Sequence, residues 1–356
     1  MNEMTSLGWS EFFERAFEPF HKQGHSQGRV ALEQRGAYRL YTENGELPAR
    51  VSGKLRFDSE SAADFPAVGD WVAFSKPERD GLARIHGVLP RRSKFSRKAA
   101  GANTEEQVVA ANVDTVFLVQ GLDHDFNLRR LERYLVAAFE SNAAPVVILS
   151  KADLCNEVDE RILEVETVAL GTPVHAISSV TGHGLDEIPQ YISNGVTIAF
   201  LGSSGVGKST LINRIVGEDI QKTLEVREHD SRGRHATTHR ELIVLKSGGL
   251  LIDTPGMREL QLWEVGGSLS EAFSDVASIA AACYFNDCRH QNEPGCAVRE
   301  ALADGTLDAD RYDHYLKLER ELEYLDSRMD ERLNLKRKNR EKKIHRAYRM
   351  IKNRRS

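Results

Sequence analysis

The sequence predicts an α/β protein in three parts, with a parallel-sheet core between a small β-barrel and a helical region. Short strand patterns separated by turn residues fill residues 28–95. From about residue 108 to 260, continuous apolar strands alternate with amphipathic segments, which is typical of a parallel sheet covered by helices on both faces. After Trp263 the pattern becomes helical and includes three of the four cysteines.

The composition is that of an ordinary globular protein. Of the 356 residues, 40% are apolar and 28% charged, and this length suits two or three domains. No apolar stretch approaches the roughly 18 residues of a membrane span. The acidic amino terminus does not resemble a secretory signal. We therefore expect a cytoplasmic protein that does not contact a membrane.

The first 98 residues are expected to form an N-terminal extension, 1–27, and an OB-fold barrel, 28–98. The stretch GRVALEQRGAYRLYT resembles a hairpin around Arg35-Gly36, and ARVSGKLRF, VGDWVAF and ARIHGVLP are interpreted as further short strands. The barrel runs into RRSKFSRK, in which basic residues flank Phe95. This segment is interpreted either as a surface that stacks on an RNA strand or as a soluble linker.

Residues 99–263 are expected to form the α/β core, and its strongest motif follows the strand VTIAFLG. Residues 202–209 match G-x-x-x-x-G-K-[ST] between a strand and a helix. The glycines let backbone N–H groups surround a β-phosphate, Lys208 can contact the β and γ oxygens, and Ser209 can bind Mg²⁺. The predicted phosphate site comprises Gly202, Ser203, Ser204, Gly205, Val206, Gly207, Lys208, Ser209 and Thr210.

A second phosphate element is the motif LIDTPG. It places Asp253 at a strand end, where a carboxylate can hold magnesium through water, and Gly256 where an N–H can approach a γ-phosphate. The intervening RGRHATTHRE offers Thr238 as first choice and Thr237 as second for a threonine that binds magnesium only with the γ-phosphate present. The predicted magnesium ligands are therefore Ser209, Thr238 and Asp253.

The catalytic group is less directly indicated. The residue after D-T-P-G is Met257, whose thioether cannot orient a water molecule. His235 can position the nucleophile instead, with His239 as its rival. With Lys208 and Thr238, His235 completes the predicted catalytic set, and we expect slow intrinsic turnover that depends on a partner.

A base-reading element precedes the phosphate loop. In VVILSKAD, which includes Ser150, Asp153 can accept from N1–H and N2–H₂ of guanine, a pairing that adenine lacks, and the stem of Lys151 can cover the purine plane. Farther along, ISSVTGHG places the backbone of Ser178 and Ser179 where it can donate to O6. Asp153 thus favours GTP and GDP as ligands and argues against an ATPase.

This order of motifs is explained by circular permutation. Permutation keeps strand neighbours and ligand contacts if the original termini were close. The chain after D-T-P-G then enters the cysteine-bearing region directly, so γ-phosphate contacts at Thr238 and Gly256 can act on another domain.

Residues 264–331 are expected to form a helical zinc-binding domain. Cys283, Cys288, His290 and Cys296 follow C-x₄-C-x-H-x₅-C, which suits one tetrahedral, structural Zn²⁺ with no open position. The alternative is unlinked buried thiols and a surface histidine. Residues 332–356 form a tail with twelve Lys or Arg against Glu341 alone, which is interpreted as a solvated end or a nucleic-acid arm.

Together these motifs resemble one family, the circularly permuted GTPases called ribosome small subunit-dependent GTPase A. The resemblance covers about residues 28–300. It implies an OB-fold, a permuted P-loop GTPase core and a zinc domain that act in late maturation of the 30S subunit, with hydrolysis stimulated by that subunit. It also supports His235 as the family's proposed catalytic histidine and fits contact of the tail with 16S rRNA; we expect a monomer.

Two positions depart from the family pattern, and one alternative function remains. Ser150 stands where asparagine is common, which removes an amide that braces the phosphate loop and weakens the expected nucleotide affinity. The family usually has a histidine followed by three threonines, but here Ala236 takes the place of the first threonine. The choice between Thr237 and Thr238 as the magnesium ligand therefore stays open. The alternative is an RNA-binding assembly factor in which GTP is a structural ligand that is not turned over.

Overall fold

The computed structural model describes residues 3–77, 80–98, 106–216, 240–253, 268–325 and 327. The chain divides into two compact units, residues 1–261 with 271–274, and residues 262–270 with 275–356. The barrel and the α/β core both belong to the first unit.

The N-terminal extension packs on the barrel through aromatic side chains. It contains helices α1 (Glu3–Ser6) and α2 (Glu11–His21). The ring of Trp9 meets that of Trp71 edge-on, with centroids 4.8 Å apart, and Phe13 and Phe17 are buried beside them. Because the apolar face of α2 is covered in this way, the extension is an ordered part of the unit.

The barrel is closed by five strands. Its elements are β1 (Ser26–Gln34), β2 (Ala37–Thr42), β3 (Gly45–Val51), helix α3 (Gly53–Asp58), β4 (Trp71–Ser75) and β5 (Ala83–Val88). Strand β1 pairs with both β2 and β4, and the order β1-β2-β3-β5-β4 completes the circuit. Alternating side chains such as Leu40 and Ile85 fill the interior. The predicted OB-like barrel is confirmed.

Local turn chemistry explains where one prediction succeeds and another fails. At the hairpin, Arg35 and Gly36 both have positive φ, 51° and 77°, as a two-residue turn with the sheet's own twist requires. The stretch ARVSGKLRF is not one strand, because the Ser52 hydroxyl accepts from the Leu55 N–H at 3.1 Å and starts helix α3.

A separate two-stranded sheet follows the barrel. It consists of β6 (Lys94–Lys98) and β7 (Glu106–Ala111), so the proposed boundary at residue 98 falls inside this sheet. Phe95 is buried, with 2% of its surface exposed. The interpretation of Phe95 as a ring that stacks on RNA is therefore wrong, because pairing with β7 turns this side chain inward.

The core is a sheet with helices, as predicted. Its elements are β8 (Thr115–Gly121), α4 (Leu128–Glu140), β9 (Ala144–Ser150), α5 (Val158–Val168), β10 (Val174–Ala176), β11 (Thr197–Leu201), α6 (Lys208–Val216), β12 (Arg240–Val244) and β13 (Leu250–Asp253). The order is β10-β9-β8-β11-β13-β12, parallel except for β12. Every residue of β8 and of β11 is buried, which accounts for their continuous apolar sequence.

Barrel and core share one continuous sheet. Strand β1 pairs with β12 at Leu32↔Glu241 and Glu33↔Arg240, which joins the strands into a sheet of eleven. Near this junction Gly69 has a φ of +90°, and a Cβ there would lie 2.1 Å from the carbonyl oxygen of Ala111. Only glycine permits this close approach of the barrel backbone to strand β7.

Most described residues of the second unit are helical. Its elements are α7 (Ser268–Ala272), α8 (Ser274–Ala281), α9 (Ala297–Asp304) and α10, residues 309–325, apart from residues 271–274 of α7 and α8, which belong to the first unit. The buried guanidinium of Arg311 binds both carboxylate oxygens of Asp275, at 2.6 and 2.7 Å, and so fixes α10 to α8. Within the described parts of the chain, no helix is long and apolar enough to span a bilayer.

Candidate functional site

The strand order brings the two predicted nucleotide motifs side by side. Strand β8 lies between β9, which ends at Ser150, and β11, which leads into the phosphate loop. All three are parallel, so their carboxyl ends meet at one edge, where ligands of such sheets bind. Asp253 ends β13, the parallel neighbour of β11, at the same edge.

The phosphate loop joins β11 to α6, in agreement with the predicted strand-loop-helix context. Gly202 is needed where the loop leaves the strand, because a Cβ there would lie 2.3 Å from the Val119 carbonyl oxygen of β8. The Lys208 Nζ donates to the carbonyl oxygens of Gly202 and Ser203, at 2.7 and 2.5 Å, and thus lies within the curl of the loop. Ser209 and Thr210 occupy the first turn of α6, where N–H groups favour an anion.

Ser150 connects the base motif directly to the phosphate loop. Ser150 is 3% exposed, and its hydroxyl lies 2.5 Å from the Val206 carbonyl oxygen and 3.3 Å from that of Gln120, so it can donate to either. The sequence suggested that serine at this position removes a brace from the phosphate loop. The hydroxyl instead supplies a brace of its own, across 56 residues of chain.

A 3₁₀ turn, Ala152–Leu154, follows β9; Lys151 precedes it and Asp153 lies within it. Lys151 has a φ of 61°, a conformation unusual for a residue with a side chain, and its Nζ lies 2.6 Å from Asp123 Oδ2. The hydrogen bond from Lys151 lowers the pKa of Asp123 below its ordinary value. Asp153 lies in the turn Ala152–Leu154 with its side chain exposed.

The second base-reading element is anchored to both neighbours. The Ala152 N–H donates to the Ile177 carbonyl at 3.0 Å, which ties it to the base motif. The Ser178 N–H donates to the His183 carbonyl at 2.9 Å and is therefore already engaged. Of the two N–H groups predicted to donate to guanine O6, this leaves that of Ser179. Arg214 of α6 donates through Nε to the Ser179 carbonyl at 3.1 Å, a link to the phosphate-loop helix that the sequence did not suggest.

Two further carboxylates were missed by sequence reasoning. Asp125 Oδ2 accepts from the Ser203 hydroxyl of the phosphate loop at 2.6 Å, and this hydrogen bond lowers the pKa of Asp125. Asp123 pairs with Lys151 as described. The available signal was their position just after the buried strand VDTVFLV, because the carboxyl ends of neighbouring parallel strands share one edge.

Several predicted residues lie outside the described part of the chain. These are Gly256 and the loop residues His235, Thr237, Thr238 and His239. Asp253 is described only through its backbone. The assignments of His235 and Thr238 therefore stay predictions.

The cysteine motif does converge on one point. The ligand atoms of Cys283, Cys288, His290 and Cys296 all lie within 4.8 Å of one another. His290 Nδ1 is 3.5 Å from Cys283 Sγ and 3.4 Å from Cys296 Sγ, and the two sulfurs are 3.9 Å apart. Ligand atoms around a tetrahedral zinc are separated by roughly 3.5–3.8 Å, given Zn–S and Zn–N bonds of about 2.3 and 2.0 Å. The donor set can hold a metal ion, and the separations among Cys283, His290 and Cys296 are close to those around zinc.

Comparison with known proteins decides the family. The model of the RsgA GTPase family matches residues 88–263. The chain is 49% identical over 355 residues, 97% of each chain, to the small ribosomal subunit biogenesis GTPase RsgA of Opitutus terrae. The chain belongs to the RsgA GTPase family. Another member, RsgA 2 of Lactiplantibacillus plantarum, is 46% identical over 318 residues, 89% of each chain.

Solved structures similar to this chain share its permuted fold. YjeQ from Thermotoga maritima matches with a TM-score of 0.63 and 28% identity, covering 84% of this chain and 98% of that one. YloQ, described as a circularly permuted GTPase, matches with a TM-score of 0.60 and 28% identity, over 84% and 95% of the two chains. The predicted family resemblance and fold class are confirmed, and this chain is a GTP hydrolase.

Proposed function

We propose that this chain binds the small (30S) ribosomal subunit during its late maturation and hydrolyses GTP to GDP and phosphate when that subunit stimulates it. The observation that carries the nucleotide part of the proposal is the contact of Ser150 with Val206, which links the S-K-x-D motif to the phosphate loop. The relatives from Opitutus and Lactiplantibacillus are both named small ribosomal subunit biogenesis GTPases, which supports the partner.

The proposed roles follow from the chemistry of each group. Asp153 selects guanine, Lys151 covers the base and Lys208 neutralises charge on the β and γ oxygens. Mg²⁺ would accompany GTP and be held by Ser209, Thr238 and Asp253. His235 would position the attacking water, and the bound subunit would order its loop. One zinc ion would hold the second unit together through its four ligands.

Contact with 16S rRNA finds support on the barrel. Phe57 of α3 is 89% exposed, a large exposure for an aromatic side chain. Leu55 packs against the barrel interior, and Phe57, two residues later, projects away from it. Lys54 lies one turn before Phe57 on the same face of the helix, and Arg56, which directly precedes Phe57, is also exposed. An exposed ring beside two cations offers stacking and phosphate contact to a single-stranded nucleic acid.

GTP turnover with and without purified 30S subunits tests the proposal. We expect slow hydrolysis alone and a large increase on addition of 30S, with 50S subunits as a control that should not stimulate. A Lys208→Ala variant should remain inactive under both conditions. Equal rates with and without 30S would reject the subunit as the activating partner. The same assay with His235→Ala examines the alternative in which GTP is only a structural ligand, an alternative that membership of a GTPase family disfavours.

The remaining expectations stand as part of the proposal. The protein would act in the cytoplasm as a monomer.

A further inference from the structure

The loop between β8 and α4, residues 122–127, touches both nucleotide motifs. Its first residue, Leu122, donates through its N–H to the Ser150 carbonyl at 2.8 Å. Its last residue, Asn127, caps α4 by accepting from the Arg130 N–H at 3.0 Å. The loop is therefore fixed at one end to the base motif and at the other to a helix.

Asp123 faces the base motif. Its Oδ2 lies 2.6 Å from Lys151 Nζ, and its Oδ1 accepts from the Asp125 N–H at 3.0 Å. Gly121 makes room for this carboxylate, because a Cβ there would lie 2.8 Å from Asp123 Oδ1. Lys151 is held in a left-handed backbone conformation, so the ion pair adds a second constraint on where its stem lies.

Asp125 faces the phosphate loop. Its Oδ2 accepts from Ser203 Oγ at 2.6 Å, and its Oδ1 accepts from Arg130 Nη1 at 3.0 Å. Arg130 also donates to the Asp125 carbonyl oxygen. Since α4 supplies this arginine, the carboxylate is already oriented towards Ser203.

We propose that Asp123 and Asp125 are positioning residues that couple guanine recognition to the shape of the phosphate loop. The path runs from Lys151 through Asp123 to the Asp125 N–H, and from the Asp125 carboxylate to Ser203. A base that fixes the Lys151 stem thereby favours the loop conformation that receives the phosphates. This inference rests on the proposed nucleotide site and adds a connection between its two halves.

The main experiment is a double-mutant cycle on GDP affinity, measured by calorimetry on the full chain with magnesium. Asp125→Ala and Ser203→Ala should each weaken GDP binding roughly tenfold, the loss expected for one charge-assisted hydrogen bond. The double variant should lose no more than either single variant, because both remove the same contact. Asp125→Asn keeps one acceptor oxygen but loses the charge, so its GDP affinity should lie between those of the wild type and Asp125→Ala.

A second cycle tests transmission through the loop. Asp123→Ala should weaken GDP binding in the wild-type background but have little effect when Lys151 is already alanine. Asp123→Ala and Ser203→Ala alter opposite ends of the path. Together they should reduce GDP affinity by a smaller factor than the product of the two separate reductions. Glu166→Ala, at an exposed carboxylate of α5, is the matched control and should bind GDP normally.

The outcomes separate this inference from the function on which it rests. If the wild type does not bind GDP, the proposed site itself fails. If the wild type binds but the effects multiply independently or are absent, only the coupling fails. Urea unfolding without nucleotide tests whether these residues are merely structural. In that case the variants would lower the free energy of unfolding, and the double-mutant cycles would show no coupling in GDP affinity. Should Asp125→Ala not fold, Ser203→Ala and Asp125→Asn still complete the test.

Discussion

Arg29 of barrel strand β1 donates through Nη2 to the hydroxyl of Thr197, the first residue of core strand β11, across 2.9 Å. Arg29 is 1% exposed, and burial lowers its pKa to about 10, so the guanidinium stays charged at neutral pH. It also donates to the carbonyl oxygens of Leu7, Gly69 and Asn112. One side chain thus joins the extension, the barrel and the core.

Replacement of Arg29 should therefore destabilise the first unit. Arg29→Leu leaves several buried acceptors without a donor, and we expect a loss of about 3–5 kcal/mol in the free energy of unfolding. Urea denaturation measures the loss. Arg15→Leu on the exposed side of α2 is the control and should change stability by less than about 0.5 kcal/mol. Similar losses for both variants would show that the buried contacts contribute little.

The brace from Ser150 to the phosphate loop predicts a specific order of affinities. Ser150→Ala removes the donor to the Val206 carbonyl, so GDP should bind about tenfold more weakly, as for one lost hydrogen bond of about 1–1.5 kcal/mol. Ser150→Asn, which supplies an amide donor, should bind at least as well as Ser150→Ala. Calorimetric titration with GDP checks the order. Wild-type affinity in Ser150→Ala would show that the contact does not shape the site.

Metal removal should affect the second unit. Elemental analysis is expected to find one zinc per chain, lost in Cys288→Ser but retained in Cys155→Ser, whose cysteine lies outside the cluster. Because a bound zinc ion would cross-link residues 283–296, a strong chelator should reduce helical circular dichroism, while GDP binding persists. Retention of zinc in Cys288→Ser, or full helicity without metal, would contradict a structural role.

The exposed ring of Phe57 predicts an RNA-binding phenotype. Phe57→Ala should weaken binding of a short single-stranded RNA by about 1–3 kcal/mol, the range for loss of one base-aromatic stack, while Phe57→Trp should retain it. Fluorescence anisotropy gives the affinity. Phe12→Ala, at a half-exposed ring on α2, is the control. Equal RNA affinities for Phe57→Ala and the wild type would remove this ring from the proposed surface.

The basic tail makes a separate prediction that depends on salt. A chain truncated after residue 331 loses twelve cations and should bind RNA more weakly. Its affinity should also fall less steeply with salt concentration, because fewer counterions are released. Affinities at several salt concentrations measure the slope. If the dependence of RNA affinity on salt concentration is unchanged by the truncation, the tail does not contact RNA phosphates.

Much of the fold followed from local patterns. Continuous apolar runs predicted the parallel strands β8, β9 and β11, and the glycines at 202 and 207 predicted the phosphate loop between β11 and α6. The cysteine spacing predicted the cluster that the structure brings together. These features depend on residues near one another in the chain, which is why their spacing was enough.

Other features depended on contacts between distant segments. The burial of Phe95 required pairing with β7. The contacts of Asp123 with Lys151 and of Asp125 with Ser203 depend on the position of β8 between β9 and β11.

The sequence by itself determined which chemical groups the protein carries and in what order, including the inverted order of base and phosphate motifs. The tertiary structure decided which of those groups touch: Ser150 with Val206, Asp125 with Ser203, and Arg29 with Thr197. The physical reason is that spacing along the chain fixes local backbone geometry, whereas burial and hydrogen-bond partners depend on the segments that the sheet brings alongside.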